Sequence, residues 1–537
     1  MTSEQKDTVT CTINGRQVEV PKGTRIIEAA ERAGVGIPHY CYHPGLSAPA
    51  MCRMCLVEIE GMPKLQPACV TTVAEGQVIH TDSPKARKAR EGVLEFYLIN
   101  HPLDCPICDQ AGECKLQDYV AQEGPKHGRF LEGKRVIGRD DFGGDILYEG
   151  SRCIMCTRCV RFMREIAGQD ALCVVQRGHR SVIDTFFEQG LADSNWAGNI
   201  VDICPVGALI SKDFLHKARA WDLDRTPSIC PNCSQGCNIR IETRDNLVMR
   251  LKPRANPETN SFWMCDYGRL RYEWLNRTDR VTSPMMRNAA GELAPAGWQE
   301  VAIALVQRLK ARDWRGQVRV IGSPYHANED AGLLARLQAV LGGGQALYRS
   351  ARAEDEDVCP GYPRLARRRD LAANVRGLDL FGFVRTGDDS GQGGLPESTA
   401  GDVLIVLGDE LADAPAGFGA DADLFVYLGA YDSAAARNAH FVLPVCTFAE
   451  QEGTFTNHEG RVQRFWPALK SPPQARPAWQ VLGVILAGLD DAPAPASAAD
   501  AFLRLAELHP ELSGLSYEVI GSRGALINEP IKIAAGV

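Results

Sequence analysis

The placement of the cysteines constrains this chain more than any other feature. Seventeen of its 19 cysteines lie in the first 265 of 537 residues. The chain opens on polar residues without the apolar core of a secretion signal, so clustered cysteines predict metal ligands rather than disulfides. The N-terminal half is therefore predicted to bind metal, and the C-terminal half needs a different explanation.

The central set is Cys153-Ile-Met-Cys156-Thr-Arg-Cys159, followed at a distance by Cys204-Pro205. Such a triplet with a distant Cys-Pro is the ligand pattern of a [4Fe–4S] cluster. In two-cluster ferredoxins the cysteine before proline serves the other cluster, but this chain has a single CxxCxxC triplet. Cys204 is therefore predicted to complete the same site.

The first 84 residues show the order of elements of a β-grasp ferredoxin. Alternating apolar and polar residues around Asn14-Gly15 predict a hairpin over 9–20. A helix with Thr24 at its N-cap and a strand over Leu56–Ile59 are predicted to follow. The first set of cysteines accompanies these elements with the spacing C-x10-C-x2-C-x13-C: Cys41, Cys52, Cys55 and Cys69. The plant-type ferredoxin spacing has a shorter first gap. The segment resembles the [2Fe–2S] domain that opens the large iron–sulfur subunit of NADH-quinone oxidoreductases and the iron-only hydrogenases.

A second set follows a helix predicted over 85–100, with the order His101-x3-Cys105-x2-Cys108-x5-Cys114. A lone histidine beside cysteines is usually structural. Here four potential ligands share one loop, and the resemblance to the family implies that His101 binds a [4Fe–4S] cluster. A neutral imidazole in place of a thiolate removes one negative charge, which by itself favours the reduced state.

A fourth set has the spacing C-x2-C-x3-C with a distant partner: Cys230, Cys233, Cys237 and Cys265. A hairpin is predicted around Asp245-Asn246. A four-cysteine zinc ribbon is the competing interpretation, because zinc also uses paired cysteines around hairpins. The triplet and its distant cysteine resemble the [4Fe–4S] segment that opens molybdopterin-type oxidoreductases.

Four cysteines remain outside these sets, and a structural role is expected for each: Cys11, Cys173, Cys359 and Cys446. Cys173 begins a β-like stretch over 174–187 and is expected to be a buried core residue.

The C-terminal half is predicted to be α/β. Helices are predicted over 298–312 and 331–341, and apolar runs over 318–321, 402–407 and 424–428 end at glycine. Such runs are typical of parallel strands covered on both faces.

Three further stretches are interpreted by composition or by resemblance. Residues 387–401 and 492–499 are expected to be a surface loop and a linker. Residues 439–463 resemble the molybdopterin oxidoreductase superfamily, although by residues alone they are a strand, a polar turn and another strand.

Over essentially the whole chain, these motifs resemble the large iron–sulfur subunit of respiratory complex I, the 75 kDa subunit family of NADH-quinone oxidoreductases. The resemblance implies a multidomain fold of α+β and α/β parts, with five domains. They are a β-grasp [2Fe–2S] domain at 1–84, a [4Fe–4S] domain with one His and three Cys ligands at 85–140, a [4Fe–4S] ferredoxin-like domain at 141–222, a molybdopterin-oxidoreductase-type [4Fe–4S] domain at 223–280, and a shortened molybdopterin-oxidoreductase-like domain without cofactor at 281–537.

The resemblance also implies a function. Electrons from a flavin on a neighbouring subunit enter at the first set, pass to the Cys153 set and then to the His101 set, and leave toward quinone through another subunit. The fourth set lies off this route. One [2Fe–2S] and three [4Fe–4S] clusters, no molybdenum and no substrate site or catalytic residue are expected on this chain.

The implied partners are the flavin and NADH-binding subunit and other peripheral-arm subunits, with quinone reached only indirectly. The implied location is the cytoplasmic side of a bacterial inner membrane, held there through partners. A net charge of −8 disfavours nucleic acid as a partner. No apolar run approaches the roughly 18 residues of a membrane span.

Two alternatives belong to other classes of protein. The catalytic subunit of an NAD-linked molybdenum formate dehydrogenase needs a full cofactor domain and a Cys or selenocysteine ligand. The residues after Cys265 look too few for that domain, and the charged surroundings of Cys359 do not suit a metal-ligand loop. An iron-only hydrogenase needs a second triplet with its own Cys-Pro, which is absent.

Four arginines flank the central triplet: Arg152, Arg158, Arg161 and Arg164. These arginines either lie on a solvent-exposed helix face or compensate the negative charge of a reduced cluster.

Overall fold

The computed structural model describes residues 7–125, 127–186, 190–397, 399–408, 410–490 and 492–528. The chain divides into two compact units. The first runs to Asp222 and also holds Cys359–Tyr362. The second holds Leu223–Val358 and the residues from Pro363 onward.

A five-stranded sheet opens the first unit. Its strands are Thr8–Ile13, Arg16–Pro21, Leu56–Ile59, Gln66–Pro67 and Val78–His80. The first strand pairs antiparallel with the second and parallel with the fifth, which is the β-grasp arrangement expected from the sequence. The predicted hairpin is confirmed, and Asn14 and Gly15 at its turn have φ of 47° and 79°.

The helix that follows the hairpin is Ile26–Arg32, and its buried side chains belong to the apolar core of this domain. Its N-cap is Arg25, so the prediction of Thr24 was wrong by one residue. The Thr24 hydroxyl instead donates to the Pro21 carbonyl at 2.6 Å, which closes the turn before the helix. The chain leaves the helix at Gly34, where φ is 70°.

The rest of the first unit consists of short elements between long loops. Its helices are Pro84–Asn100, Lys115–Glu123, Arg158–Glu165 and Asn199–Ile203. Its strands are Arg139–Gly143, Ile146–Glu149, Leu172–Val175, Val182–Thr185 and Leu209–Ser211. The helix expected over 85–100 is confirmed. Ser83 caps it by accepting a hydrogen bond from the Ala86 N–H at 3.2 Å.

The β-like stretch over 174–187 forms two paired strands, Leu172–Val175 and Val182–Thr185. Its last predicted residue, Phe187, lies outside the described residues. The expectation that Cys173 is buried was wrong, because Cys173 is half-buried on this small sheet. Its thiol lies 3.7 Å from the Asp184 carbonyl oxygen.

The second unit opens with an antiparallel sheet of Asp224–Ile229, Asn238–Arg244 and Leu247–Pro253. The hairpin predicted at its second turn is confirmed, with Asp245 and Asn246 at φ of 52° and 62°. This sheet carries the fourth cysteine set between and beyond its strands.

An eight-stranded sheet forms the centre of the second unit. In spatial order its strands are Leu293–Pro295, Met285–Arg287, Phe441–Pro444, Leu424–Gly429, Val403–Leu407, Val318–Gly322, Gly344–Tyr348 and Val384–Arg385. The last six pair in parallel, and the first two form an antiparallel hairpin at the edge. Every residue of Val403–Leu407 and Leu424–Gly429 is buried, which confirms parallel strands covered on both faces.

Helices cover this sheet. The helices of the second unit are Asp266–Arg269, Trp298–Lys310, Asn328–Val340, Val375–Leu380, Ala478–Asp490, Ala498–Leu508 and Tyr517–Ile520. Smaller strands are Asp357–Val358, Ala366–Arg367, Gly453–Thr456, Arg461–Phe465 and Ala525–Leu526.

Two expected boundaries shift in this unit. The helix expected over 331–341 begins at Asn328. The predicted linker over 492–499 ends at Ser497, whose hydroxyl caps the next helix by accepting from the Asp500 N–H at 3.1 Å. None of the helices in the described ranges is long and apolar enough to span a membrane.

Candidate metal centres

The first cysteine set is packed into the core of the β-grasp domain, with each cysteine at most 3% exposed. The thiols of Cys52 and Cys69 donate hydrogen bonds to the sulfur of Cys41, which lowers the pKa of Cys41. Cys69 also donates to Cys55, so the pKa of Cys55 falls while those of Cys52 and Cys69 rise. These contacts bring all four sulfurs together.

The loop of the first set bends sharply at two residues. Ala50 and Arg53 have φ of 53° and 59°, the left-handed region that residues with a Cβ seldom adopt. The Tyr40 N–H points at the sulfur of Cys52 at 3.5 Å. A backbone that turns its N–H groups toward sulfur suits a negatively charged iron–sulfur centre.

The second set lines a cavity of about 430 Å³. Cys108 and Cys114 are buried, whereas Cys105 is exposed. Burial, followed by the charges of Lys134 and Arg152, lowers the pKa of His101 to about 4. The imidazole is therefore neutral at pH 7, the state in which it binds metals.

The ring of His101 also has an unsatisfied nitrogen. Nδ1 is buried and has no hydrogen-bond partner within the part of the chain that the structure describes. A buried polar atom without a partner is costly, and a bound iron would satisfy it. The residues of the second set thus fit a metal cluster, with His101 among the candidate ligands.

The third set surrounds one small enclosed cavity: Cys153, Cys156, Cys159 and Cys204. Burial raises the pKa of Cys153, Cys156 and Cys204 to about 11 and raises that of Cys159 well above its ordinary value. Such thiols resist ionisation unless a cation replaces the proton, which a metal does.

Left-handed residues shape the loop of the third set. Met155 and Thr157 have φ of 52° and 56°, and the Met155 N–H points at the sulfur of Cys153 at 3.4 Å. The helix Arg158–Glu165 begins directly after this loop and carries Cys159 in its first turn. The CxxCxxC spacing thus becomes a coiled loop followed by a helical turn.

The segment after Cys204 reaches the second set. A Cβ on Gly207 would lie 2.2 Å from the sulfur of Cys108, so only glycine allows this approach. The Lys115 N–H donates to the Pro205 carbonyl at 3.0 Å. A short stretch of chain therefore connects a candidate ligand of the third set to a residue in contact with the second.

The fourth set is buried in the second unit, with each cysteine at most 4% exposed. Burial raises the pKa of all four, Cys230, Cys233, Cys237 and Cys265, and neighbouring sulfurs add to the rise for all but Cys233. The Gly268 N–H points at the sulfur of Cys265 at 3.4 Å, and a Cβ on Gly268 would lie 2.8 Å from the sulfur of Cys230. In the described ranges, no group of three or more His, Cys, Asp or Glu residues is arranged to hold a single metal ion.

Four cysteines belong to none of these sets, and three of them are fully buried. Cys11, Cys359 and Cys446 are at most 2% exposed, and the Cys359 thiol lies 3.4 Å from the Ile166 carbonyl oxygen.

Two residues near the candidate ligands were not predicted from the sequence. Gly207 is one, and its only sequence signal is its position shortly after Cys204. Tyr148 is the other: it is buried and stacked on Phe142 at 4.6 Å, and its hydroxyl faces Cys153 and lowers the pKa of that thiol. Burial, the larger effect, raises the same pKa. No local pattern in the sequence indicates this contact.

Ferredoxin-type and molybdopterin-oxidoreductase-type iron–sulfur domains define the class of this protein, as family models show. The matched descriptions are "2Fe-2S iron-sulfur cluster binding domain" at 6–84, "NADH-ubiquinone oxidoreductase-G iron-sulfur binding region" at 90–129, "NADH-quinone oxidoreductase subunit 3, ferredoxin-like domain" at 143–210, "Molybdopterin oxidoreductase Fe4S4 domain" at 223–277 and "Molybdopterin oxidoreductase" at 383–487. These matches confirm the predicted fold classes.

The chain is similar to the G subunit of NADH-quinone oxidoreductase of several organisms. It is 46% identical to that protein of Rickettsia bellii over 56% of this chain and 44% of the relative. With the corresponding protein of Streptomyces coelicolor the identity is 39%, over 72% and 45% of the two chains. With the mitochondrial NADH dehydrogenase [ubiquinone] iron-sulfur protein 1 of Solanum tuberosum it is 46%, over 56% and 40%.

The chain spans about half the length of the relatives that it matches. Among solved structures, one described as an NAD+-reducing [NiFe]-hydrogenase in the H2-reduced state matches 39% of this chain and 90% of its own at 30% identity, with a TM-score of 0.36.

Proposed function

We propose that this chain is an iron–sulfur electron-transfer subunit of an NADH:quinone oxidoreductase, which relays electrons from a flavin subunit toward quinone. The observation that carries the proposal is the set of contacts that joins the three cysteine sets of the first unit. Residues in and beside the third set contact both the first and the second set, and the His39 N–H next to the first set also donates to the Tyr119 hydroxyl, on the helix after Cys114, at 3.3 Å. These contacts support electron transfer among the three sets, and the proposed order, first to third to second, follows the family resemblance.

The contact between the first and third sets involves residues inside both loops. The Thr157 hydroxyl lies 3.4 Å from the sulfur of Met51. Thr157 stands between two candidate ligands of the third set, and Met51 precedes Cys52 of the first. Tyr97, on the helix that ends just before His101, donates to the Cys52 carbonyl at 3.3 Å and so joins the first set to the segment of the second.

The contact between the third and second sets involves Arg152 and Gly207. Arg152, which precedes Cys153, donates from Nε to the Asp104 carboxylate at 3.0 Å, and Asp104 precedes Cys105. Gly207 lies against the sulfur of Cys108. Short stretches of protein thus join neighbouring candidate centres, as electron transfer between them requires.

The proposed ligands of the one [2Fe–2S] centre are Cys41, Cys52, Cys55 and Cys69. Those of the three [4Fe–4S] centres are His101 with Cys105, Cys108 and Cys114; Cys153, Cys156, Cys159 and Cys204; and Cys230, Cys233, Cys237 and Cys265. Bound clusters supply one-electron redox chemistry, and the protein holds them and sets their environment.

The second unit has a different proposed role. Its set is buried among its own strands, and we assign it no step in the relay. The domain at 281–537 is proposed to be a scaffold without molybdenum, within the five domains that the family resemblance implies.

The proposed partners are the flavin and NADH-binding subunit and other peripheral-arm subunits, on the cytoplasmic side of a bacterial inner membrane. The names of the relatives support membership of such a complex. They do not favour a formate dehydrogenase or an iron-only hydrogenase.

Metal counts with EPR spectroscopy of the anaerobically purified, reduced protein test the proposal. One [2Fe–2S] and three [4Fe–4S] centres require about fourteen iron atoms per chain. About ten iron atoms with one zinc would make the fourth set a zinc ribbon. Stoichiometric molybdenum would overturn the proposal in favour of the formate dehydrogenase alternative.

A further inference from the structure

Three arginines on one helix differ sharply in their surroundings. The helix Arg158–Glu165 carries Arg158, Arg161 and Arg164 at intervals of three residues. The side chain of Arg164 is 67% exposed and pairs with Asp170 at 2.9 Å. Arg158 is 8% exposed, and Arg161 is half-buried. Only Arg164 fits a solvated helix face.

Arg161 binds the backbone of two candidate centres at once. Its Nη2 donates to the carbonyl of Cys41 at 2.6 Å and to that of Cys156 at 3.3 Å. Its Nη1 donates to the Ser47 carbonyl, in the loop that follows Cys41. One guanidinium therefore joins a candidate ligand of the first set to a candidate ligand of the third.

Arg158 repeats this arrangement at neighbouring residues. Its Nη2 donates to the carbonyl of Tyr42, next to Cys41, and its Nη1 to the carbonyl of Ile203 at 3.0 Å, next to Cys204. Its Nε is buried without a hydrogen-bond partner among the described residues, and Arg158 lines the cavity of the third set. Arg158 thus borders this cavity and keeps one donor that no described residue satisfies.

Neither guanidinium is neutralised by an acidic side chain. Across the described residues, Arg158 and Arg161 form no ion pair with a carboxylate, although Arg161 and Glu165 both bind Ser47. A buried cation without a carboxylate partner is costly unless another negative charge compensates it.

We propose that Arg158 and Arg161 form a shared cationic bridge between the first and third centres. The bridge fixes the two loops together and stabilises the reduced, more negative state of both centres. This inference rests on the proposed function, because it requires clusters at both sets. Both arginines are positioning residues, since their observed contacts are with backbone carbonyls and not with a substrate.

The test compares Arg161→Gln and Arg158→Gln with Arg164→Gln, a matched control on the same helix. Each is made in the full chain, within its complex where one forms, and iron content and the EPR signals of both centres are measured first. Absence of these signals from the unmodified protein would refute the proposed function itself. With both signals present, potentiometric EPR titration tests the bridge alone.

We expect each of the two substitutions to make reduction of both centres about tenfold less favourable, a fall in potential of about 59 mV for a one-electron couple. Arg164→Gln should leave both potentials unchanged. Equal potentials in Arg161→Gln, Arg158→Gln and Arg164→Gln would overturn the proposal, as would a fall confined to one centre.

If a glutamine variant no longer binds one of the two clusters, its potentials cannot be compared, and Arg161→Lys then provides the test. Lysine keeps the charge but lacks the fork that binds several carbonyls. We expect both potentials to remain near those of the unmodified protein, while the magnetic interaction between the two reduced centres changes because the loops are less firmly joined. A lowered potential at both centres of this lysine variant would show that charge is not the cause and would overturn the bridge.

Discussion

Two buried arginines, one in each unit, are compensated in different ways, although the first unit also pairs its buried Arg152 with Asp104. In the second unit, Arg349 is 2% exposed and binds Asp413 at 2.5 and 3.0 Å, which lowers the pKa of Asp413 to about 2. In the first unit, Arg158 is buried beside four thiols and binds only backbone carbonyls. The second unit neutralises this cation with its own carboxylate, whereas the first leaves it to the candidate centre.

Buried carboxyl groups extend the comparison. Glu329 and Asp330 in the second unit are fully buried. Glu329 accepts hydrogen bonds from the Thr454 N–H at 3.0 Å and the Tyr517 hydroxyl at 2.8 Å, and Asp330 accepts from the Trp479 N–H at 2.7 Å. Polar groups whose hydrogen bonds are satisfied within the protein need no bound cofactor to stabilise them. We therefore expect the first unit to depend on its clusters for stability and the central sheet of the second unit to be independent of them.

Iron removal should give the largest difference in stability between the two units. Anaerobic chelation takes the compensating charge from the first unit and leaves unligated thiols around Arg158. We expect amide hydrogen exchange in the helix Arg158–Glu165 to become at least a hundredfold faster, while the strand Val403–Leu407 keeps its protection.

Re-incorporation of iron and sulfide is the control for that experiment and should restore protection in the helix. Unchanged exchange in Arg158–Glu165 after iron loss would show that the first unit is stable without its clusters.

Glycine-to-alanine substitutions compare how tightly the backbone packs against a candidate centre in each unit. The Cβ of Gly207→Ala would lie 2.2 Å from Cys108 Sγ, while that of Gly268→Ala in the second unit would lie 2.8 Å from Cys230 Sγ. We expect Gly207→Ala to lose about four iron atoms and the EPR signal of the His101 centre. Gly268→Ala should lose less iron.

Open glycines provide matched controls, since a Cβ on Gly128 or Gly297 meets nothing within 4 Å. Alanine at either position should leave the iron content unchanged. Full iron in Gly207→Ala would mean that the segment after Cys204 can move away from the second set.

His101→Cys should have a smaller effect, on potential rather than on iron content. A fourth thiolate adds a negative charge to the centre, so reduction becomes less favourable. EPR titration should show a lower potential with the cluster retained, whereas His80→Cys, in the β-grasp sheet, should change nothing. An unchanged potential in His101→Cys would argue that His101 is not a ligand.

Turns, strands and the grouping of the cysteines could be predicted from short stretches of the sequence. The Asn14-Gly15 turn follows from the left-handed conformation that these residues tolerate, and the strand Val403–Leu407 follows from its unbroken apolar run. The four cysteine sets could be grouped by spacing because ligands of one centre must approach a common point.

Contacts between distant residues could not be predicted in this way. The hydrogen bond from Arg161 to Cys41 joins residues 120 positions apart, and the approach of Gly207 to Cys108 depends on how two loops fold onto each other. Glu329 looks like an ordinary surface residue at the start of a helix. Only the packed structure shows it fully buried against Thr454 and Tyr517.

Glu329→Gln should give the smallest effect, visible only in the pH dependence of the second unit. Burial raises the pKa of Glu329 from its ordinary 4.5 to about 8. As pH rises from about 4.5, the unfolded chain releases this proton while the folded unit retains it, so stability falls until about pH 8 and then levels off. The slope can reach roughly 1.4 kcal/mol per pH unit.

Glutamine at position 329 stays neutral and should flatten the dependence of stability on pH, so the variant gains stability relative to the unmodified protein between pH 6 and 8. Denaturant-dependent hydrogen exchange of Val403–Leu407 measures this, with exposed Glu300→Gln as the control. A pH dependence that is the same in Glu329→Gln and Glu300→Gln would mean that Glu329 is already ionised in the folded unit, and that the second unit also holds a buried charge that it does not neutralise.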